Sequence, residues 1–221
     1  MNRQHYLQKT KGSENDLQAP QTVCSRCGIC CKKGGPSIHL EDRELIENGT
    51  IPLKYLFTIR KHEPSFDNVK GIIEPAGTDI IKIKSKPNSN ACIFFDPNLS
   101  GCQIYQTRPI ECRALMCWDT KGIVSIYDKT RIGRKELIFK TGELWDLVQD
   151  HHDRCSYKKI ALFAVQIKEK NQRAFQEVNR MIQYDQSLRR LLVEKNESLS
   201  DMLAFLLGRP LSQTISLFGL P

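Results

Sequence analysis

The chain has 221 residues, 40% of them hydrophobic and 26% charged, with a formal net charge of +8 and a pI near 9.0. That length can bury a core without cross-links, and the composition excludes a disordered or fibrous chain in favour of a globular one. The basic balance leans toward acidic partners, an acidic protein among them, although Lys and Arg are spread along the chain rather than gathered in a block.

Residues 1–20, a polar stretch ending at Pro20, have no apolar core and read as a disordered tail rather than a secretory signal. Residues 21–133 hold eight of the nine cysteines and form the expected cysteine-rich module. Within it, "LEDRELIEN" (40–48) and "PLKYLFTIRK" (52–61) read as short helices, the second with Pro52 in its first turn. "TDIIKIKSK" (78–86) reads as a half-exposed strand with a solvated lysine face. "ACIFFD", the turn "PNLSG" and "CQIY" form a hairpin pattern, and "GIVSIYD" (122–128) reads as a further strand. From residue 134 to 221 the pattern turns helical, with Ile160, Phe163, Ile167, Phe175, Val178 and Ile182 at helical spacing and "GRP" as the stop after "MLAFLLG". The fold class expected is α+β, mainly α: a metal-binding module with a small hairpin or sheet, followed by a helical region packed on it.

The most apolar stretch, "MLAFLLG", is too short to span a bilayer, so a cytoplasmic location without a membrane partner is the expectation. In a reducing compartment, nine cysteines point to metal ligands or redox-active thiols rather than structural disulfides, and an odd number cannot all pair. In "CSRCGICC", Cys24, Cys27 and Cys30 recur every third residue, a spacing that lets one loop wrap several thiolates around a metal centre. Cys31 follows at once. In extended backbone, adjacent side chains point apart, so Cys30 and Cys31 on one ion would be strained. The same spacing suits a zinc site or a redox pair, but the βαβ setting of a redox pair is missing.

Cys92, Cys102, Cys112 and Cys117 follow. The hairpin brings Cys92 near Cys102. Pro109 suits a helix start, Arg108 is kept out of helical geometry, and Glu111 and the Cys112 thiolate are favoured by the positive helix end. Cys117 lies about 140° around that helix from Cys112 and is the weaker candidate. In "HHDRC", His151 and Cys155 share a helix face and are further candidate ligands. Seven or eight thiols and few histidines fit an iron–sulfur cluster better than one tetrahedral zinc, which would leave thiols idle. No dinucleotide or P-loop motif is visible. "KIKSK" lacks the interleaved aromatics of a nucleic-acid platform, so nucleic acid is not an expected partner.

"CSRCGICC" together with "CIFFD…GCQIYQTRPIECR" resembles the CxxCxxCC cysteine-cluster (YkgJ-like) family of zinc- or iron-chelating domains. Seven cysteines (Cys24, Cys27, Cys30, Cys31, Cys92, Cys102 and Cys112) fall on its pattern, with Tyr105, Arg108, Pro109 and Arg113. The usual aromatic-Pro-Phe continuation is replaced here by "ALMCWD". The resemblance implies a metal or iron–sulfur centre on those cysteines, with Tyr105, Arg108 and Arg113 in support. A similar domain occurs in the enzyme that N-methylates flagellin lysines. That implies a second reading, a protein lysine N-methyltransferase using S-adenosylmethionine, although no glycine-rich loop for that cofactor is visible. A third reading is a zinc-stabilised interaction module.

Overall fold

The computed structural model describes residues 21–99, 101–138 and 142–220; the expected tail over residues 1–20 lies outside them. A 3-10 turn at Leu40–Asp42 runs into α1 (Arg43–Glu47), as the pattern of "LEDRELIEN" anticipates. The second expected helix does not form. Only Leu53–Tyr55 makes a 3-10 turn, and the chain then extends as β1 (Leu56–Ile59). Residues Leu56–Ile59 alternate buried and half-buried, a period of two that suits a strand, and a partner is at hand to pair with it.

That partner comes after the β2 (Pro64–Asp67) and β3 (Ile72–Pro75) hairpin and is β4 (Ile80–Ile83), antiparallel to β1 with Leu56 opposite Ile83 and Thr58 opposite Ile81. These four side chains are buried on one face. Lys82, opposite Phe57, lies on the other face. The lysines of "KIKSK" are not a solvated row: Lys82 Nζ reaches Ser37 Oγ (3.5 Å), and Lys84 Nζ donates to the carbonyls of Lys54 (2.7 Å) and Asp201 (2.8 Å). Next come β5 (Phe95–Asp96) and β6 (Gly101–Cys102), pairing Phe95 with Cys102, as the hairpin pattern requires.

A helix α2 (Ile110–Ala114) follows, then α3 (Lys121–Ile126) where a strand is expected from "GIVSIYD". Ile123, Ile126 and Tyr127 are half-buried while Val124 and Ser125 are exposed. That spacing is helical.

The remaining elements are helical: α4 (Arg134–Ile138), α5 (Gly142–Arg154), α6 (Tyr157–Lys168), α7 (Gln172–Lys195), α8 (Leu203–Leu206) and α9 (Leu211–Thr214). Asn171 starts α7 by accepting from the backbone N–H groups of Arg173 (3.0 Å) and Ala174 (3.2 Å), the N-cap role its amide oxygen suits. Ile160 and Val178 are buried as the spacing anticipates, but Phe175 is 40% exposed and Ala174 and Met181 take the inner face instead. One apolar cluster joins Ile38, Ile51, Leu56, Ile81 and Ile83 to Val148, Leu192 and Phe205–Leu207; a second gathers Cys155, Tyr157, Ile160, Val178, Leu211 and Ile215. Helix α8 lies on β1, where Thr58 Oγ1 donates to the Phe205 carbonyl (2.7 Å). Gly208, at φ +74, ends this stretch, and a Cβ there would lie 2.8 Å from Arg60 Cγ. Among the described residues no helix is long and apolar enough to cross a membrane.

Candidate metal centre

A cavity of about 680 Å³ opens between the loop 24–31, the β5–β6 hairpin and α2–α3. Among the described residues its wall contains Cys24, Cys27, Cys30, Cys31, Cys92, Cys102, Cys112 and also Cys117, and no histidine. All nine cysteines of the chain are free thiols. The two blocks of the sequence motif, sixty residues apart, thus face one space. The backbone joins them where Cys92 N donates to the Cys31 carbonyl (2.8 Å).

Cys30 and Cys31 are not in the extended backbone that would splay their side chains. Cys30 is helical (φ −65, ψ −40) and Cys31 opens a 3-10 turn, Cys31–Lys33. Their sulfurs lie 4.0 Å apart in a shared hydrogen bond. Two thiolates on one tetrahedral ion with metal–sulfur bonds of about 2.3 Å sit about 3.8 Å apart. The observed separation is close to that value, and the helical backbone removes the premise of the expectation from extended geometry. The Cys31 thiol, hydrogen-bonding its neighbour, pulls Cys30 down to about 6, with Arg108 adding to the effect. Cys31, which keeps the shared proton, is pushed up by that bond and by burial.

Burial raises Cys92 and Cys102, and raises Cys112 strongly, with the neighbouring thiols adding to it. The expected lowering of Cys112 by the helix start does not prevail: α2 has only five residues, and desolvation outweighs its end charge.

Helix α2 is fixed from below by groups that spacing does not reveal. Arg108 is extended and Pro109 precedes the first turn. Buried Asp42 accepts from Ile110 N (2.7 Å) and from His39 N (3.1 Å). Glu111 turns inward, where its Oε2 accepts from Ser37 N (2.6 Å) and its Oε1 meets His39 Nε2 (3.1 Å). His39 Nδ1 in turn faces the Lys129 carbonyl (2.7 Å). Both ring nitrogens thus face oxygen atoms, an arrangement that favours the doubly protonated ring. Burial opposes that charge, but Glu111 and the Lys129 carbonyl hold the His39 pKa above its ordinary value. Burial likewise works against the Glu111 carboxylate, and His39, Lys82 and Ser37 N–H together keep it below the usual range. A buried ion pair therefore orients the residue next to Cys112, in the manner of outer-shell partners of metal ligands. Arg113 stands 4.0 Å from Asp42 with its side chain about half exposed, a long and weak pair.

The loop is seated closely. Gly28 (φ +74) passes over the Phe95 ring, and a Cβ there would lie 2.4 Å from Phe95 Cε2. Tyr105 has the Arg26 and Arg108 guanidinium groups over its ring, and Arg108 Nε is buried with no hydrogen-bond partner among the described residues.

His151 and Cys155 sit elsewhere, outside the cavity wall. With Asp185 they form a fully buried trio whose donor atoms lie within 4.8 Å of one another. Two of its groups bond each other, while His151 Nδ1 is buried with no hydrogen-bond partner among the described residues. Asp185 Oδ1 accepts from His151 Nε2 (2.7 Å) and Arg189 Nε (2.9 Å), and its Oδ2 accepts from Leu211 N (2.9 Å). Burial pushes the Cys155 thiol up to about 12, and that thiol donates to the Met181 carbonyl (3.7 Å). The trio and its bonds tie α5, α7 and α9 together, and its three donor atoms are close enough to share one ion.

An α+β chain with one cavity walled by eight thiols is the architecture of a cysteine-cluster metal-chelating domain. The chain belongs to the CxxCxxCC family, described as a "putative zinc- or iron-chelating domain", whose pattern it matches over residues 23–137, just over half its length. No curated protein and no solved structure shows significant similarity to it.

Proposed function

We propose that the cysteine cavity holds an iron–sulfur cluster, drawing its ligands from Cys24, Cys27, Cys30, Cys31, Cys92, Cys102 and Cys112, with Cys117 as a further donor. The observation that carries this reading is the wall itself: eight thiols and no histidine around one space. Zinc sites draw on cysteine and histidine and close at four ligands, whereas iron–sulfur clusters are held by thiolates, four for each cluster. A single zinc would leave half of these thiols idle. The 4.0 Å separation of the Cys30 and Cys31 sulfurs fits thiolates that share one metal atom.

When bound, such a cluster supplies one-electron chemistry, and with it a redox or oxidant-sensing role. The chain supplies the shape and the charge around it. The loop 24–31 brings three or four thiols from one side, and α2 brings Cys112 from the other, held by Asp42 and the His39–Glu111 pair. Arg26, Lys33, Lys82 and Arg108 in the wall offset the negative charge of thiolates.

Anaerobic purification followed by a visible spectrum and by iron, sulfide and zinc analysis tests the proposal. A brown protein with iron and acid-labile sulfide is expected. A colourless protein with stoichiometric zinc would replace the cluster by a structural zinc site. Serine at Cys24, Cys27 or Cys112 should abolish metal retention, and full retention in all three variants would refute the ligand assignment.

A further inference from the structure

Tyr105 lies between Cys102 and Cys112, just ahead of α2. Its ring centroid is 4.0 Å from Arg26 Cζ and 3.7 Å from Arg108 Cζ. Tyr105 therefore carries a cation–π contact from each of two arginines. Arg26 belongs to the first cysteine block, between Cys24 and Cys27, whereas Tyr105 and Arg108 belong to the second. The stack therefore bridges the two halves of the site.

The middle of the loop is held separately, by Gly28 against the Phe95 ring and Lys32 over that ring. The Cys92 N to Cys31 carbonyl bond fastens its far end, and the Lys32 N to Gly28 carbonyl bond is internal. Val23 and Ile29 are 74% and 62% exposed, so burial of their side chains contributes little. Arg26 adopts a left-handed backbone (φ 55), a conformation that a side-chain-bearing residue keeps only where its surroundings fix it.

The stack is also sensitive to charge. Its two cations lie no more than about 8 Å apart and repel each other. Anionic sulfur beside them relieves that repulsion, and Arg108 acts electrostatically on both Cys30 and Cys102.

We infer that Arg26, Tyr105 and Arg108 form a clasp that closes the loop 24–31 over the downstream cysteines and slows the escape of bound metal. They are positioning residues: they act through the cysteines and leave ligation to the thiols. The inference rests on the reading above that these thiols hold a metal, and its test separates the two.

Full-length wild type, Tyr105→Phe, Tyr105→Leu and Arg26→Leu are compared, with urea melts to establish that each is folded. In the metal-free, reduced protein, tryptic cleavage after Arg26 is followed by mass spectrometry. Tyr105→Phe keeps the ring and should match wild type, whereas Tyr105→Leu should be cut about tenfold faster. In protein loaded with zinc, release to excess chelator should quicken by a similar factor in Tyr105→Leu and in Arg26→Leu. The double variant should gain little beyond either single change, because both remove one stack. Wild-type rates for Tyr105→Leu in either arm, or Tyr105→Phe behaving like Tyr105→Leu, would overturn the clasp. A wild type that retains neither zinc nor iron would defeat the metal reading, while the cleavage arm would still report whether the clasp exists.

Discussion

Replacing Glu111 by glutamine keeps its shape and removes its charge, which isolates the buried contact with His39. Both His39 nitrogens face acceptors, at 2.7 Å and 3.1 Å. At the latter distance and an effective dielectric near 20, the attraction is roughly 5 kcal/mol, and desolvation of the two groups offsets part of it. Glu111→Gln should therefore cost about 2–3 kcal/mol where His39 is charged. Because the His39 pKa is raised, its contribution is complete below about pH 6.5, the unfolded value, and is lost as pH rises through the folded pKa. Glu111 is held low, so its contribution is present above about pH 4.3 and lost as pH falls through its folded pKa. The gap between wild type and variant is thus widest at about pH 5–6.5 and narrows in alkali. Urea melts of the metal-free, reduced proteins at several pH values measure it. A gap below about 0.5 kcal/mol at the acidic end, or one that widens toward alkali, would refute a charged His39 held by Glu111.

Burial brings His151 down to about 4, so it stays neutral in the fold while the unfolded chain takes up a proton from about pH 6.5 downward. Stability should fall across that window by up to about 1.4 kcal/mol per pH unit, roughly 3 kcal/mol in all. His151→Gln, which keeps a donor for Asp185, should flatten that part of the profile in urea melts, and an unchanged slope would exclude the assignment. Gly28→Ala puts a methyl 2.4 Å from Phe95 Cε2 at a positive φ. It should cost about 1–2 kcal/mol and hasten metal loss to a chelator, with Phe95→Leu in the same chain restoring part of both. Thr58→Val removes the donor to the Phe205 carbonyl and should lower stability by about 1–2 kcal/mol without altering metal content.

The thiol half of the site is legible because its three-residue spacing and its Pro-x-x-Cys helix start each lie within one short stretch of sequence. Cys92 and Cys102 are recognisable through the hairpin that pairs Phe95 with Cys102. His39, Asp42 and Lys82 are not, since nothing in their spacing connects them to a helix about thirty to seventy residues downstream; only the β1–β4 pairing and the turn before α1 bring them there. The same long-range pairing turns "LFTI" from an expected helix into β1, with β4 deciding between two local preferences. Conversely, "GIVSIYD" has strand-forming residues and forms α3, burying Ile123, Ile126 and Tyr127 at helical spacing. The Cys30–Cys31 geometry is illegible for a subtler reason: periodicity arguments assume a backbone, and the 3-10 turn beginning there changes which way adjacent side chains point.

The hydrogen bond from Cys92 N to the Cys31 carbonyl closes a loop of about sixty residues, and closure of that size costs roughly 4 kcal/mol of chain entropy. The segment it encloses includes β1 and β4 and much of the larger apolar cluster, so burial of ordinary hydrophobic side chains meets that cost. In a small zinc-dependent domain, by contrast, the metal must gather the chain as well as bind it. Here burial of those hydrophobic side chains shares the work of gathering the thiols.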